Sequence, residues 1–329
     1  APEHPLTAAH QRWLEDVALL ISPAERAAFL ALPRDYQRSA FIERFWQERD
    51  PYPDTAQNEL RVRWEDRLEK ARARYETLDD ARAHLLLWNG EPAQILKSTC
   101  RELLLPLEVW IYGPSEFSRK GFTVGLVGGG RKFRFWQPTS EGLRALLDTA
   151  QPLNTDEDVA AEIERTCPQA EDFLSALVDS TDFNEDKARK FLGPKPGDEW
   201  LQAFNARSTD LPAGVAPLPA QVAVRFPGRY QSRTVVETVL GVARRNATAG
   251  QNGYAFLVDG EVLHNGELFD SFRYRFDLPL AAAGDTLPVV VQRHLRPGDY
   301  HLILKLEDIA GLRFFRDERD IVVPTVPES

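Results

Sequence analysis

From His10 to Arg74 the apolar residues recur with the period of helices that bury one face. Trp13, Leu14, Val17, Leu20 and Ile21 form the first stripe, which stops at Ser22-Pro23. Ser22, with Pro23 in the first turn and Glu25 three residues on, then opens a helix carrying Phe29 and Leu30. After Leu32-Pro33, Tyr36, Ala40, Phe41, Phe45 and Trp46 make a broad inward-facing aromatic stripe, which leaves Arg38, Glu43, Arg44 and Gln47 to water. Asp50-Pro51-Tyr52-Pro53 ends that helix, because the residue before each proline is pushed out of the helical region. Asp54 or Thr55 starts a charged helix through Arg74 that buries Leu60, Trp64, Leu68 and Ala71.

From His84 the period changes. Leu85-Leu86-Leu87-Trp88 before Asn89-Gly90 predicts a buried strand, and Val109-Trp110-Ile111-Tyr112 a second. Phe122 to Val127 and Lys132 to Trp136, separated by Gly128-Gly129-Gly130, predict a hairpin. Helical patterns return at residues 140–149, 156–166, 171–178 and 186–192, before Gly193-Pro194-Lys195-Pro196-Gly197 breaks the chain. Leu211 to Pro219 carries three prolines and no helical period, which predicts a linker. Beyond it Val222, Val224 and Phe226, then Phe272, Tyr274 and Phe276, then Leu302, Leu304 and Leu306 alternate as strands do. Turn signals recur at Pro227-Gly228, Asn252-Gly253, Asp259-Gly260, Asn265-Gly266, Pro297-Gly298 and Ala310-Gly311. The expectation is an α+β protein. Residues 1–210 form helices packed on a small antiparallel sheet, 211–219 a linker, and 220–329 an all-β, immunoglobulin-like sandwich.

Composition narrows the function classes. With 50 acidic against 40 basic residues and a net charge of −10, free of long runs, the chain lacks the basic surface that nucleic-acid binding requires. No apolar run reaches the roughly 18 residues of a membrane-spanning helix. The sequence contains no Met and opens Ala1-Pro2-Glu3-His4-Pro5, which fits removal of a secretory signal and an extracytoplasmic, periplasmic or secreted location; an internal fragment reads the same way. Cys100 and Cys167 form an even pair that an oxidising compartment would join, or two buried thiols in a reducing one.

A family resemblance rests on several segments in order: Phe45-Trp46-Gln47-Glu48-Arg49-Asp50-Pro51, Asn58-Glu59, Arg82 leading into Leu85-Leu86-Leu87-Trp88 and Gly90-Glu91-Pro92, and Glu108-Val109-Trp110-Ile111-Tyr112. Together they resemble the GWxTD domain, found in bacterial proteins that are mostly exported. The resemblance covers Pro23 to Pro138 and departs at the namesake motif, where this chain reads Tyr75-Glu76-Thr77-Leu78-Asp79 before Asp80-Ala81-Arg82. It implies an exported, two-module bacterial protein.

No catalytic constellation stands out. The glycines from Gly125 to Gly130 precede an alternating strand, where a phosphate loop would precede a helix. Asp182-x-Asn184-x-Asp186 begins like a calcium loop, but Lys187 stands at the glycine position and Gly193 at the closing glutamate. The six histidines show no metal-ligand spacing and no Gly-x-Ser-x-Gly elbow occurs, so no cofactor or metal is expected. Asp50 and Glu59 are the carboxylates a cell-wall or polysaccharide hydrolase would use as acid and base. The competing reading makes Asp50 a turn cap and pairs Arg49 with Glu59 or Asp54. Trp46, Trp110, Tyr112 and Trp136 would serve a carbohydrate-binding platform if exposed, and core if not. The candidate binding residues are therefore Trp46, Arg49, Asp50, Asn58, Glu59, Trp110 and Tyr112. The expected role is non-enzymatic, with a protein or cell-surface partner.

Overall fold

Capping side chains fix where the central helices begin. In the computed structural model, which describes residues 5–114, 121–129, 131–148, 153, 155–167, 171–185, 188, 192, 195–281 and 284–326, the Asn58 side chain accepts from the Arg61 amide and the Asp80 side chain from the Arg82 amide. The helices are α1 Ala8–Asp16, α2 Pro23–Ala31, α3 Asp35–Gln47, α4 Glu59–Arg74 and α5 Ala81–Asn89. The strands β1 Gln94–Lys97, β2 Leu107–Tyr112, β3 Phe122–Gly129 and β4 Lys132–Phe135 follow, then α6 Pro138–Glu141, α7 Asp156–Thr166, α8 Glu171–Val178 and α9 Glu199–Ala206. The remaining strands are β5 Ala216–Pro217, β6 Ala220–Tyr230, β7 Arg233–Ala243, β8 Tyr254–His264, β9 Glu267–Leu278, β10 Thr286–Leu295, β11 Gly298–Asp308 and β12 Arg313–Val323. The protein is α+β, as its patterns predict. The helix expected at 186–192 lies largely outside the described residues, as do Asp186, Lys187 and Gly193.

One strand expectation is overturned. Leu85 to Trp88 lie in helix α5, because Asp80 caps its start and all four side chains are buried. A short apolar run without period fits either a buried helix or a buried strand, and here the cap decides.

Residues 11–22 and 44–196 form one compact unit, while 1–10, 23–43 and 197–329 form another. In the 44–196 unit, β1 to β4 make a four-stranded antiparallel sheet in sequence order. Alternation along β2 and β3 gives the sheet two apolar faces. Trp110, Tyr112, Val124 and Leu126 pack with Ala81 and Leu85 of α5. Val109 and Val127 pack with Val159 and Ile163 of α7 and with Phe173, Leu174 and Leu177 of α8. The sheet is thus covered on both faces, not only by the helices that precede it. Gly125 is obligatory here, since a Cβ would stand 2.7 Å from the Trp136 ring. Cys100 and Cys167 are joined in a disulfide, with Cys167 at the end of α7 inside this core.

In the other unit the strands form two sheets, ordered β10-β7-β6 and β5-β12-β11-β8-β9. One buried cluster draws on both: Val236, Leu240 and Val242, with Leu287, Val289 and Val291, meet Phe256, Val258, Leu302, Leu304 and Leu306. Asn265-Gly266 makes the β8–β9 turn as predicted. Asp259-Gly260 does not turn; it lies inside β8, where Gly260 leaves room for the Phe272 ring directly opposite. Pro227-Gly228 likewise falls inside β6, beside a break in its register with β7.

The expected linker also belongs to this unit. Ala216-Pro217 pairs in parallel with Arg313-Phe314, and Leu218 is buried in the shared cluster. Residues before 211 join it too. Phe41 stacks against Phe29, Trp200 and Phe204 at centroid distances of 5.5, 5.0 and 5.5 Å. Arg38, expected to face water, is buried and donates to Asp35 at 2.9 Å and to the Pro5 carbonyl. On the face of β8 and β11 that points away from the shared cluster, Leu263 and Ile303 pack with Tyr36. Beside them the Tyr36 hydroxyl and the Thr209 hydroxyl both donate to Glu261 Oε2, at 2.7 and 2.5 Å. Lys305 pairs with Asp259 at 3.0 Å and donates to the Ser208 carbonyl, while Arg273 approaches Asp259 at 3.3 Å.

The disulfide closes a long loop through the 44–196 unit, its two cysteines standing 67 positions apart. The chain-entropy argument assigns it about 4 kcal/mol. Replacing both cysteines by serine is expected to lower the urea midpoint by a matching amount, and adding reductant to the native protein is expected to lower it similarly; an unchanged midpoint in both would show that the bond carries no stability.

Candidate functional site

Arg49 lies with its guanidinium 3.7 Å above the Phe45 ring and donates to the carbonyls of Phe45 and Leu20. Asp50 Oδ1 accepts from the Tyr52 amide at 2.9 Å, which closes the Pro-rich turn. Asn58 caps α4 and donates to the Trp46 carbonyl at 2.6 Å, fastening the end of α3 to the start of α4. Glu59 Oε1 accepts from the Thr55 hydroxyl at 2.8 Å. Each of the carboxylates considered for acid–base work therefore has a local structural partner. Trp46 is buried, as are Trp110, only 1% exposed, and Tyr112. The Trp110 indole donates to Glu108 at 2.9 Å and the Tyr112 hydroxyl to the Gly90 carbonyl at 3.1 Å. These rings offer no platform face to a sugar.

A charged cluster missed by the sequence reading surrounds Glu108 in the same unit. Arg82 pairs with buried Asp80 at 2.7 Å and approaches Glu108 at 3.6 Å, while Lys97 lies 3.3 Å from Glu108. The Arg82 guanidinium is stacked over Phe133 and Tyr75, 4.0 and 4.9 Å from their ring centres. Asp80 also accepts from the Phe133 amide. Its carboxylate thus caps α5 and holds β4, a fixing role.

The open groove lies in the other unit, where β9 and β10 each end their sheet. Arg233, Phe269, Asp270, Gln292, Arg293, His294 and Leu295 line a cavity of about 310 Å³. Arg293 is held rigidly across it: Nε donates to Asp270 at 2.8 Å, Nη2 pairs with the same carboxylate, Nη1 donates to the Tyr274 hydroxyl at 2.9 Å, and the Phe272 ring lies 5.2 Å below. His294 stacks on Tyr230 at 5.2 Å, and Gln292 donates to Glu237. Phe269 stands 52% exposed at the rim. One guanidinium, Arg233, has no carboxylate partner among the described residues. Such an arrangement can position a charged or hydrogen-bonding partner; it shows no nucleophile activated by a base.

None of these residues was picked out from the sequence. A signal was present nonetheless: Arg293 continues the core-facing alternation Leu287, Val289, Val291, and Asp270 stands in register with Phe272 and Phe276. A charge at an inward position of a strand marks either a buried pair or a groove.

On the outward side of β11 and β12, His301 bridges Asp320 at 2.7 Å and Glu318 at 2.9 Å, and Glu318 also pairs with Arg316 and Arg34. Burial alone would lower the proton affinity of His301, but the hydrogen bonds to Asp320 and Glu318 outweigh it and raise its pKa. The His301 hydrogen bond, with Arg316 and Arg34, holds Glu318 down at about 2. Among the described residues no group of His, Cys, Asp and Glu has metal-binding geometry.

No family model matches the chain, and no curated protein matches it. Solved structures similar to part of it include a Bacteroides uniformis β-glucuronidase, at 11% identity and TM-score 0.24, over 31% of this chain and 13% of that one. An Arabidopsis thaliana protein aligns at 12% identity and TM-score 0.24, over 37% and 94%. The chicken interferon gamma receptor alpha chain aligns at 12% identity and TM-score 0.21, over 32% and 51%. The chain thus spans a small fraction of the glucuronidase and about half of the receptor chain, and at these scores the similarities assign neither fold nor activity.

The titration of His301 gives a signed prediction. Its folded pKa is raised above the unfolded value of about 6.5, so its contribution is complete below that value and is lost as pH rises through the folded pKa. Burial lowers the pKa of His10 and His84, which oppose this trend by costing stability on acidification. The difference between wild type and His301→Asn isolates the effect: in urea titrations the wild-type advantage is expected to be largest near pH 6 and to shrink as pH rises. A pH-independent difference would contradict the bridged imidazolium.

Proposed function

We propose that this chain is an exported, extracytoplasmic bacterial protein that works by binding a protein or cell-surface partner, without enzymatic activity of its own. In this reading the stretch from Pro23 to Pro138 carries a divergent GWxTD-like module, and residues 220–329 form an immunoglobulin-like sandwich. The observation that carries the location is the Cys100–Cys167 disulfide, packed against the core of the 44–196 unit, a bond that persists in oxidising compartments. Support for the sandwich comes from two sheets sharing one core and from the chain passing from β5 in one sheet to β6 in the other. Support for binding comes from the groove between β9 and β10, together with the structural tasks that occupy Asp50 and Glu59.

Fractionation of the native cells tests this reading. The chain is expected outside the cytoplasm, its two cysteines blocked to alkylation until reduced, and a partner protein is expected to co-purify in fixed proportion after mild cross-linking of the envelope. A cytoplasmic location with both thiols free would contradict export. Turnover of peptidoglycan or polysaccharide by the purified protein, abolished in Asp50→Asn or Glu59→Gln, would contradict the binding role.

A further inference from the structure

The β9–β10 groove combines three features that bear on what it holds. First, β9 is a sheet-terminal strand of 12 residues without proline, and no strand lies on its outer side among the described residues. Natural edges are usually shortened, interrupted by proline or covered, because an open row of amide and carbonyl groups templates another strand. Second, the cavity opens beside this edge, with Phe269 and Asp270 of β9 in its wall. Third, the surroundings lean cationic in a chain of net charge −10: β6, β7, β9 and β10 together hold six arginines against four carboxylates of their own and Asp259 of β8, which pairs with Arg273. Among the lining cations, Arg293 is already neutralised by Asp270, whereas Arg233 forms no ion pair with a carboxylate among the described residues.

We infer that β9 accepts an extended acidic peptide as an added strand, with a carboxylate of that peptide seated between Arg233 and the outer edge of Arg293 and an apolar side chain against Phe269. This deepens the binding role proposed above and rests on it. Main-chain hydrogen bonds to the free edge supply pairing, and the alternate side chains supply selectivity. Arg293 is held by Asp270 and Tyr274, so it presents its remaining N–H groups without further ordering. A saccharide acid would satisfy the arginines but would leave the β9 backbone edge unused, which favours the peptide.

The test uses the full chain and a fluorescent decapeptide alternating Glu with Val or Thr, read by anisotropy and by hydrogen exchange. Binding is expected together with slower exchange of β9 amides. Affinity is expected to fall by about tenfold or more in Arg233→Glu. That side chain is exposed, so the variant's urea midpoint should match wild type. Replacing Glu by Lys in the peptide, or a central Val by Pro, is expected to abolish binding. The inference is overturned if nothing binds up to about 1 mM. It is equally overturned if Arg233→Glu binds as well as wild type, if exchange in β9 is unaffected, or if a polyuronate binds in the Arg233-dependent manner and the peptide does not. A native partner that co-purifies equally with wild type and Arg233→Glu would sink this site while leaving the binding role standing.

Discussion

A single buried carboxylate, Glu261, ties chain segments far apart in sequence into one folding unit. It sits on β8 and accepts hydrogen bonds from Tyr36, in α3, and from Thr209, just after α9. Burial pushes its pKa up, and the two hydroxyls pull back against that rise. A carboxylate left in this position without donors would cost far more than an exposed one. The neighbouring Asp259–Lys305 pair makes the same demand, met by Arg273 on β9 and by the Ser208 carbonyl. The strands from β6 to β12 therefore need residues 23–43 and 197–210 over one sheet face. That requirement explains why the compact unit is discontinuous in sequence.

The same constraint explains what the sequence disclosed and what it withheld. The aromatic stripe of α3 and the β3–β4 hairpin were legible because each is written in local periodicity: Phe41 and Phe45 recur at i and i+4, and Phe133 and Phe135 alternate around charges. Asp259-Gly260 resembled a turn because a carboxylate and a glycine normally mark one. In the fold the carboxylate is neutralised by residues 14 and 46 positions away, and the glycine makes room for Phe272. Leu85 to Trp88 had no period to read, being buried on every side of a short helix. The proline-rich segment looked like a linker because its composition lacks a helical pattern, yet Leu218 is core and Ala216-Pro217 is a strand.

Binding sites fare worse than cores under such reading, for a geometric reason. The groove draws Arg233 from β7, Phe269 and Asp270 from β9, and Arg293 and His294 from β10, three segments brought together by the pairing of β7 with β10 and the stacking of their sheet on the one that holds β9. The residues that drew notice in the sequence, Trp46 to Glu59, are dense because they build a helix–turn–helix corner. Arg49 lies over Phe45, Asp50 closes the turn, and Asn58 joins the end of α3 to α4. Conspicuous chemistry in the sequence thus goes to fixing the backbone, while the strands that line the groove carry no comparable local signal.

The central claim is that Tyr36 and Glu261 are coupled parts of one unit. A double-mutant cycle of Tyr36→Phe and Glu261→Ala, followed by urea unfolding at neutral pH, tests it most directly. The account predicts a coupling energy of about 1–2 kcal/mol, as for a hydrogen bond to a charged or partly charged carboxylate. Additivity within about 0.5 kcal/mol would show that α3 and β8 are stabilised independently, and would contradict it.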